Sequence, residues 1–357
     1  MRLQDIAELA GVSKATVSMV LNNRKGVGDE TRKRVLDVVA QHGYVPKSLV
    51  DPTQLYVSKT IRFLAFATDE VVSQAYGEQA FFVEVLRGIE AESRRLGFEV
   101  TFSTLRSFDE FTQIAARNMS HGYLLLGTNV SETLVRDIVK LEPSTIVLDT
   151  AYEFVDANFV QMDNVGGAFT ATTYLADLGH QRIGYVAGRT RITNFEQRRK
   201  GFDAALARRG LRLDPADVLT VPTEPDVAEH ALVPLLRTRA ESLPTAFFCE
   251  NDFLAIAMLR ALSATGVRVP EEVSVMGFDN VGRSALVEPP LTTMNVDKHA
   301  MGSLAVRRLV EVCDSDTSTE VRKIAMVTRL VERASCAPPP GVGAVEDHVL
   351  TEVVQTE

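Results

Sequence analysis

The chain has 357 residues, 45% of them hydrophobic and 24% charged, with a net charge of −9, enough for a small head plus one large domain or two lobes. No run of eighteen apolar residues occurs, which excludes a membrane span, and the first residues lack the basic-then-apolar pattern of a secretory signal. Three cysteines, Cys249, Cys313 and Cys336, are scattered without metal or disulfide spacing, so a reducing cytoplasm, no metal and no cofactor are expected.

The N-terminal block reads as three short helices. Leu3, Ile6, Ala7 and Ala10 recur at i, i+3, i+4 and i+7, and Val17, Val20 and Leu21 continue that side after Gly11 and Val12. Gly11 permits the positive φ at which a first helix ends, and Ser13 is a good N-cap for a second, so the spacing predicts a helix-turn-helix. A third helix is expected from about Asp29 to His42, with Val35, Val38, Val39 and His42 on one face and Gly43 at its end.

In such a unit the second helix enters the major groove with its first turns toward the base edges. Those turns carry Ser13, Lys14, Ala15, Thr16, Ser18 and Met19. Lys14 can donate to guanine O6 or N7 or to a phosphate, Ala15 can touch a thymine methyl, and Ser18 or Asn22 can hold the sugar-phosphate backbone. Residues 1–50 hold eight lysines and arginines against five acids, a net +3, which leaves −12 on the remainder. A basic head on an acidic body suits a local DNA contact rather than general coating of nucleic acid. Arg32, Lys33 and Arg34 read equally well as a solvated helix face.

Beyond Lys59, apolar runs at Ile61–Ala67, Phe98–Ser103, Tyr123–Leu126, Thr145–Leu148, Arg182–Ala187, Ala246–Cys249 and Val273–Phe278 alternate with amphipathic helical patterns. One such pattern holds Phe82, Val85, Leu86 and Ile89, another Phe253, Ile256, Ala257 and Arg260. Continuous apolar strands alternating with helices predict parallel sheets covered on both faces, an α/β body of two doubly wound lobes with a ligand at the strand carboxyl ends. From about Ala334 the chain runs through three prolines into a polar acidic stretch, which reads as a disordered tail.

Several ordered segments resemble the lactose/galactose repressor (LacI/GalR) family of bacterial transcription regulators. They are DIAELAGVSKATVSMVLN, FFVEVLRGIE, MDNVGGAFTATTYLADLGHQRIGYVAG, QRRKGFDAAL, PTAFFCENDFLAIAMLRAL, VPEEVSVMGFDNV and EPPLTTMNVDKHAMG, and together they cover nearly everything from Leu3 to Glu332. The resemblance implies a helix-turn-helix domain over 1–48 and a hinge over 49–60. It further implies a periplasmic-binding-protein-like body over 61–333, with an N-lobe of about 61–160 plus 293–322, a C-lobe of about 161–292 plus 323–333, and a tail over 334–357. It also implies a homodimer on pseudo-palindromic operator DNA, and a small effector, expected to be a carbohydrate, in the cleft. Effector closure would then shift operator affinity, with induction and corepression both open.

Asp149, Asn251 and Asp279 follow apolar strands, where carboxylates and amides can bond sugar hydroxyls. Arg198 stands three residues before Gly201, resembling the family's Arg-x-x-Gly, and Phe81 or Phe82 could stack on an apolar ligand face. A helix cap or an ion pair is the competing role for each polar position. Asp163, Asn164 and Asp252 look more like helix-starting and loop-shaping groups.

The chain departs from the family pattern in four places. Arg2 replaces a small hydroxyl cap, Met19 replaces an arginine in the reading helix, and the loop from Ala67 to Phe81 is several residues longer than expected. At the hinge, Val50-Asp51-Pro52-Thr53 stands where the resemblance implies Ala-Arg-x-Leu, whose leucine wedges the minor groove. Asp51-Pro52 can itself cap a late hinge helix with Leu55 as the wedge, or the linker stays flexible.

Three other readings have discriminators. An enzyme is disfavoured because no Gly-x-Gly-x-x-Gly follows a strand, no Walker loop occurs and the six histidines have no metal spacing. A secreted sugar-binding protein would carry a signal peptide in place of the head. An architectural DNA binder would show no melting shift with any small ligand.

Overall fold

The computed structural model describes residues 7, 9–21, 27–41, 60–66, 79–117, 119–239, 242–314 and 320–341. They divide into two units, Met1–Ser58 and Lys59–Glu357.

In the first unit, helices α1 (Lys14–Leu21) and α2 (Asp29–Gln41) enclose a small core of Ala7, Ala10, Val17, Val20 and Val35. Gly11 takes the expected left-handed conformation, φ 63°. Ser13 Oγ accepts from the Thr16 amide at 3.1 Å, closing the first turn of α1 as an N-cap should. His42 and hinge residues 49–59 lie outside the described residues, and Thr60, expected to end the hinge, opens β1 instead.

The second unit holds two parallel sheets. The N-lobe is built from β1 (Thr60–Phe66), α3 (Ala80–Leu96), β2 (Glu99–Leu105), α4 (Phe108–Ala115), β3 (Gly122–Leu126), α5 (Glu132–Leu141), β4 (Thr145–Leu148) and β5 (Asn158–Met162). The C-lobe follows with α6 (Asn164–Asp177), β6 (Ile183–Gly188), α7 (Thr193–Arg208), β7 (Val218–Val221), α8 (Pro225–Arg237), β8 (Ala246–Cys249), α9 (Asp252–Ala264) and β9 (Ser274–Met276). The chain then returns through β10 (Thr293–Asn295), α10 (Lys298–Asp314), β11 (Lys323–Met326) and β12 (Arg329–Val331).

The strand orders are β11-β5-β4-β3-β1-β2 and β7-β6-β8-β9, every pair in each sheet parallel. In both sheets the order reverses beside the first strand of the lobe, between β1 and β3 and between β6 and β8. That reversal opens a crevice at the carboxyl ends, because helices leave on opposite faces there. The central strands are buried on both faces, Gly122–Leu126 and Ala246–Cys249 having no exposed member, whereas the edge strands β2, β7 and β11 keep exposed positions.

Helix starts follow local chemistry. Ser107, Ser131, Asp163 and Asn251 each accept from an amide three residues on, at the starts of α4, α5, α6 and α9. α3 and α10 pack closely because glycines meet there. A Cβ on Gly88 would stand 2.0 Å from the His299 carbonyl oxygen, and one on Gly302 would stand 2.2 Å from that of Val85.

Two expectations are corrected. Residues 323–326 do not belong to the C-lobe: β11 pairs with β5 on the edge of the N-lobe sheet, and β12 pairs antiparallel with β10 in a separate ribbon. The disordered tail does not begin at Ala334. Val275 donates to the Ser335 carbonyl at 2.8 Å, Ser335 Oγ donates to the Val275 carbonyl at 2.6 Å, and His180 Nε2 lies 3.0 Å from the Ala337 carbonyl oxygen. The segment thereby satisfies the free edge of β9, which would otherwise leave buried backbone groups unpaired. Residues 342–357 lie outside the described residues.

Candidate effector cleft and DNA-reading helix

A cavity of about 370 Å³ opens where the carboxyl ends of the two sheets meet. All six residues singled out for an effector line it: Phe81, Phe82, Asp149, Arg198, Asn251 and Asp279. Each is delivered by a strand end or the helix after it. Thr128, Asn194, Phe195, Thr223, Glu224 and Phe253 also face it and were missed. Thr128 lies two residues past β3, so the strand-end rule that selects Asp149 would have found it. Asn194 lies one helical turn before Arg198 on α7, on the same face.

From the N-lobe, Phe81 and Phe82 contribute an edge-to-face pair with centroids 5.3 Å apart. Asp149, 2% exposed with φ 63°, accepts from the hydroxyl of Thr128 and, at 3.2 Å, from the amide of Asn194 across the cleft. Both of these donors are neutral. Burial pushes its carboxyl pKa up to about 7, against the pull of the Thr128 bond and the more distant Arg198.

From the C-lobe, Arg198 and Asp279 form a buried ion pair at 3.0 Å. Arg198 also donates to Asn164 Oδ1 at 2.9 Å, to the Glu250 carbonyl at 2.5 Å and to Met162 Sδ at 3.2 Å, and its guanidinium lies 3.9 Å from the centroid of Phe278. Its four hydrogen bonds, to Asp279, Asn164, Glu250 and Met162, use most of its five N–H groups. Burial raises the Asp279 pKa, while Arg198 and Lys298 oppose the rise.

Asn251 caps α9 through the Leu254 amide at 3.0 Å and also lines the cavity. Asp252 is loop-shaping as expected: its carboxylate accepts from Val281 N at 2.8 Å and from Thr293 Oγ1 at 2.5 Å. Asp163 caps α6 by accepting from Gly166 N at 2.8 Å.

On the head, Ser13 is occupied by its cap, with its hydroxyl also 2.9 Å from that of Thr16. Lys14 is exposed at the first position of α1 and Met19 is half-buried. The side chains of Ala15 and Ser18, and Asn22 and Leu55 as a whole, lie outside the described residues.

A capped helix-turn-helix on one unit and a cleft between two doubly wound lobes on the other define an effector-responsive DNA-binding protein. Residues 2–47 match the lacI family of bacterial regulatory proteins, and residues 172–336 match a periplasmic binding protein-like domain. The chain is 30% identical over 338 residues to the HTH-type transcriptional repressor PurR of Aliivibrio fischeri (strain MJ11), covering 93% of this chain and 97% of that one. It is 29% identical over 340 residues to the repressor of the same name from Pasteurella multocida (strain Pm70), covering 93% and 98%. A solved transcriptional regulator, CelR in complex with cellobiose, superposes with a TM-score of 0.67 at 27% identity, covering 94% of this chain and 99% of that one. The lac repressor dimer bound to operator and the anti-inducer ONPF shares the fold, with a TM-score of 0.68 at 23% identity over 94% and 99%.

The chain therefore belongs to the lacI family of bacterial regulatory proteins. It is a DNA-binding transcriptional repressor with a small-molecule effector body, and not an enzyme. No helix among the described residues is long and apolar enough to cross a membrane.

Proposed function

We propose that the cleft takes an uncharged, hydroxyl-rich effector of the carbohydrate class, contacted by Asp149, Asp279, Arg198, Asn251, Phe81 and Phe82. Its occupancy changes the affinity of a cytoplasmic homodimer for a pseudo-palindromic operator read through α1. The observation that carries this reading is the charge state of the cavity. Its buried cation, Arg198, is already paired with Asp279, and Asp149 is buried with hydrogen bonds from neutral donors. Among the described residues the cavity's other cation, Arg283, is exposed, so an anionic ligand held by the buried groups would meet two carboxyls with Arg198 already engaged, whereas hydroxyls can hydrogen-bond to both. The phenylalanines on the N-lobe wall, with Phe195 and Phe253 opposite, supply apolar surface for a ring face. CelR, the structural neighbour at 27% identity, holds cellobiose.

For the DNA contacts, exposed Lys14 at the start of α1 reaches base edges or phosphate, and Ser13, Ala15, Thr16, Ser18, Met19 and Asn22 are assigned to the contact by their place in the reading helix of the sequence. Leu55 is the candidate minor-groove wedge.

The test is a thermal-shift panel of neutral sugars, polyols and nucleobases beside their phosphorylated counterparts, followed by operator titration with each hit. A neutral sugar is expected to raise the melting temperature and to change operator affinity by roughly 5- to 150-fold, the usual span of allosteric coupling. Equal binding of phosphorylated counterparts, or a panel in which nothing alters operator affinity, would overturn the reading. In the head, Lys14→Ala is expected to weaken specific binding more than nonspecific binding, and equal losses would make Lys14 a phosphate anchor.

A further inference from the structure

Lys298 stands outside the cavity and is 7% exposed, an unusual place for an ammonium. It opens α10, which the Gly88 and Gly302 contacts hold tightly on α3, the helix that carries Phe81 and Phe82 into the cleft. Its Nζ lies 5.9 Å from the Phe81 ring centroid. From this N-lobe base the side chain reaches the C-lobe. Nζ donates to the carbonyl of Asp279 at 2.6 Å, of Asn280 at 3.3 Å and of Val296 at 3.0 Å. An ammonium has three donors, and all three end on backbone oxygens.

The two C-lobe carbonyls belong to a strained turn. Asp279 and Asn280 both lie in the left-handed region, φ 114° and 51°, although neither is glycine. Such a conformation persists only where surrounding bonds hold it. Asn280 is held by its side chain, which donates to Asn295 Oδ1 at 2.9 Å and accepts from Arg333 at 2.7 Å. The main chain of Asp279 is tied by its own amide to the Met294 carbonyl at 2.9 Å and by Lys298. Burial pushes the Lys298 pKa below the usual lysine value, while the charges of Asp279, Asp252, Glu84 and Asp297 oppose that shift.

We propose that Lys298 is a positioning residue: from the N-lobe it holds the Asp279–Asn280 turn of the C-lobe in its left-handed form, and so sets where Asp279 meets the effector. The proposal rests on the reading of Asp279 as an effector contact, but its first test needs no effector. Hydrogen exchange on the full-length protein compares the unsubstituted chain with Lys298→Met and Lys298→Arg. The methionine variant is expected to speed exchange of peptides spanning 278–282 by about tenfold, while peptides from α3, α10 and β8 keep their protection. Lys298→Arg is expected to restore most of the protection, since it can still donate across the gap. Unchanged exchange at 278–282, or equal acceleration throughout the body, overturns the proposal.

The second arm is calorimetric titration with cellobiose. Lys298→Met is expected to bind it at least about fivefold more weakly and Lys298→Arg close to the unsubstituted chain, because loss of the clamp lowers the fraction of binding-competent turn. Equal affinity in all three, despite accelerated exchange, also overturns the positioning role. If the unsubstituted chain binds no cellobiose, that result counts against this sugar as effector and the exchange measurement alone decides on Lys298.

Discussion

Asp149 and Asp279 face one cavity from opposite lobes, and they are compensated in opposite ways. Both follow a parallel strand, both are buried, and both sit at positive φ. Asp279 has a guanidinium in contact and an ammonium bound to its own carbonyl. Asp149 has a threonine hydroxyl and an asparagine amide, the latter supplied by the other lobe. The C-lobe wall is therefore assembled before any ligand arrives, whereas the N-lobe carboxylate borrows a donor across the cleft. A ligand that supplied a donor in place of Asn194 would break this contact between the lobes.

The largest expected effect comes from breaking the compensated side. Arg198→Met strands the Asp279 carboxylate and leaves the Asn164 and Glu250 acceptors short of a donor, and it is expected to cost about 3–5 kcal/mol in urea unfolding. Adding Asp279→Asn should recover part of that loss. A double variant no more stable than Arg198→Met would break the comparison, because it would mean that the stranded charge is not the source of the cost.

The uncompensated side predicts a pH dependence. A carboxyl whose native pKa lies near 7 holds its proton between about pH 4 and 7, while the unfolded chain has released it, so stability falls as pH rises through that window. Each such group contributes up to about 1.4 kcal/mol per pH unit. Asp252 is also pushed up to about 7, chiefly by burial and then by Asp279, and it adds a slope of the same sign. Between pH 5 and 7 the urea midpoint of Asp149→Asn should fall less, or rise more, with pH than that of the unsubstituted chain, by the slope that Asp149 contributes. Identical slopes would remove Asp149 as a titrating group.

A smaller effect sharpens the same point. Thr128→Val removes one of the two donors to Asp149 and is expected to cost about 1–3 kcal/mol at pH 8, where the carboxylate is charged. The cost should shrink at pH 5, where the carboxyl is protonated and needs less support. A pH-independent loss would assign Thr128 to packing instead.

Much of the site was legible in one dimension. Asp149, Asn251 and Asp279 were found because a parallel strand ends where an apolar run ends, and the ligand-facing rim of a doubly wound sheet lies just beyond. Arg198 was found through its motif. Thr128 and Asn194 were missed because a lone threonine or asparagine has many uses, and their shared partner, Asp149, lies 21 and 45 residues away. The strands β5, β7, β10, β11 and β12 were also missed. They run three to five residues, and β11 alternates exposed and half-buried positions as an edge strand does, so none gives a long apolar run.

Local periodicity and capping by themselves determined the helix-turn-helix, the α/β class and the carboxyl-end location of the cleft, because those features depend on neighbours within a few residues. Only the tertiary structure decided that Lys323–Met326 joins the N-lobe, that Ser335 closes the edge of β9, and that Arg198 spends its charge on Asp279 while Asp149 has none beside it. Those outcomes depend on which distant backbone edges and buried charges meet, and contacts between residues 60 to 164 positions apart leave no period in the sequence.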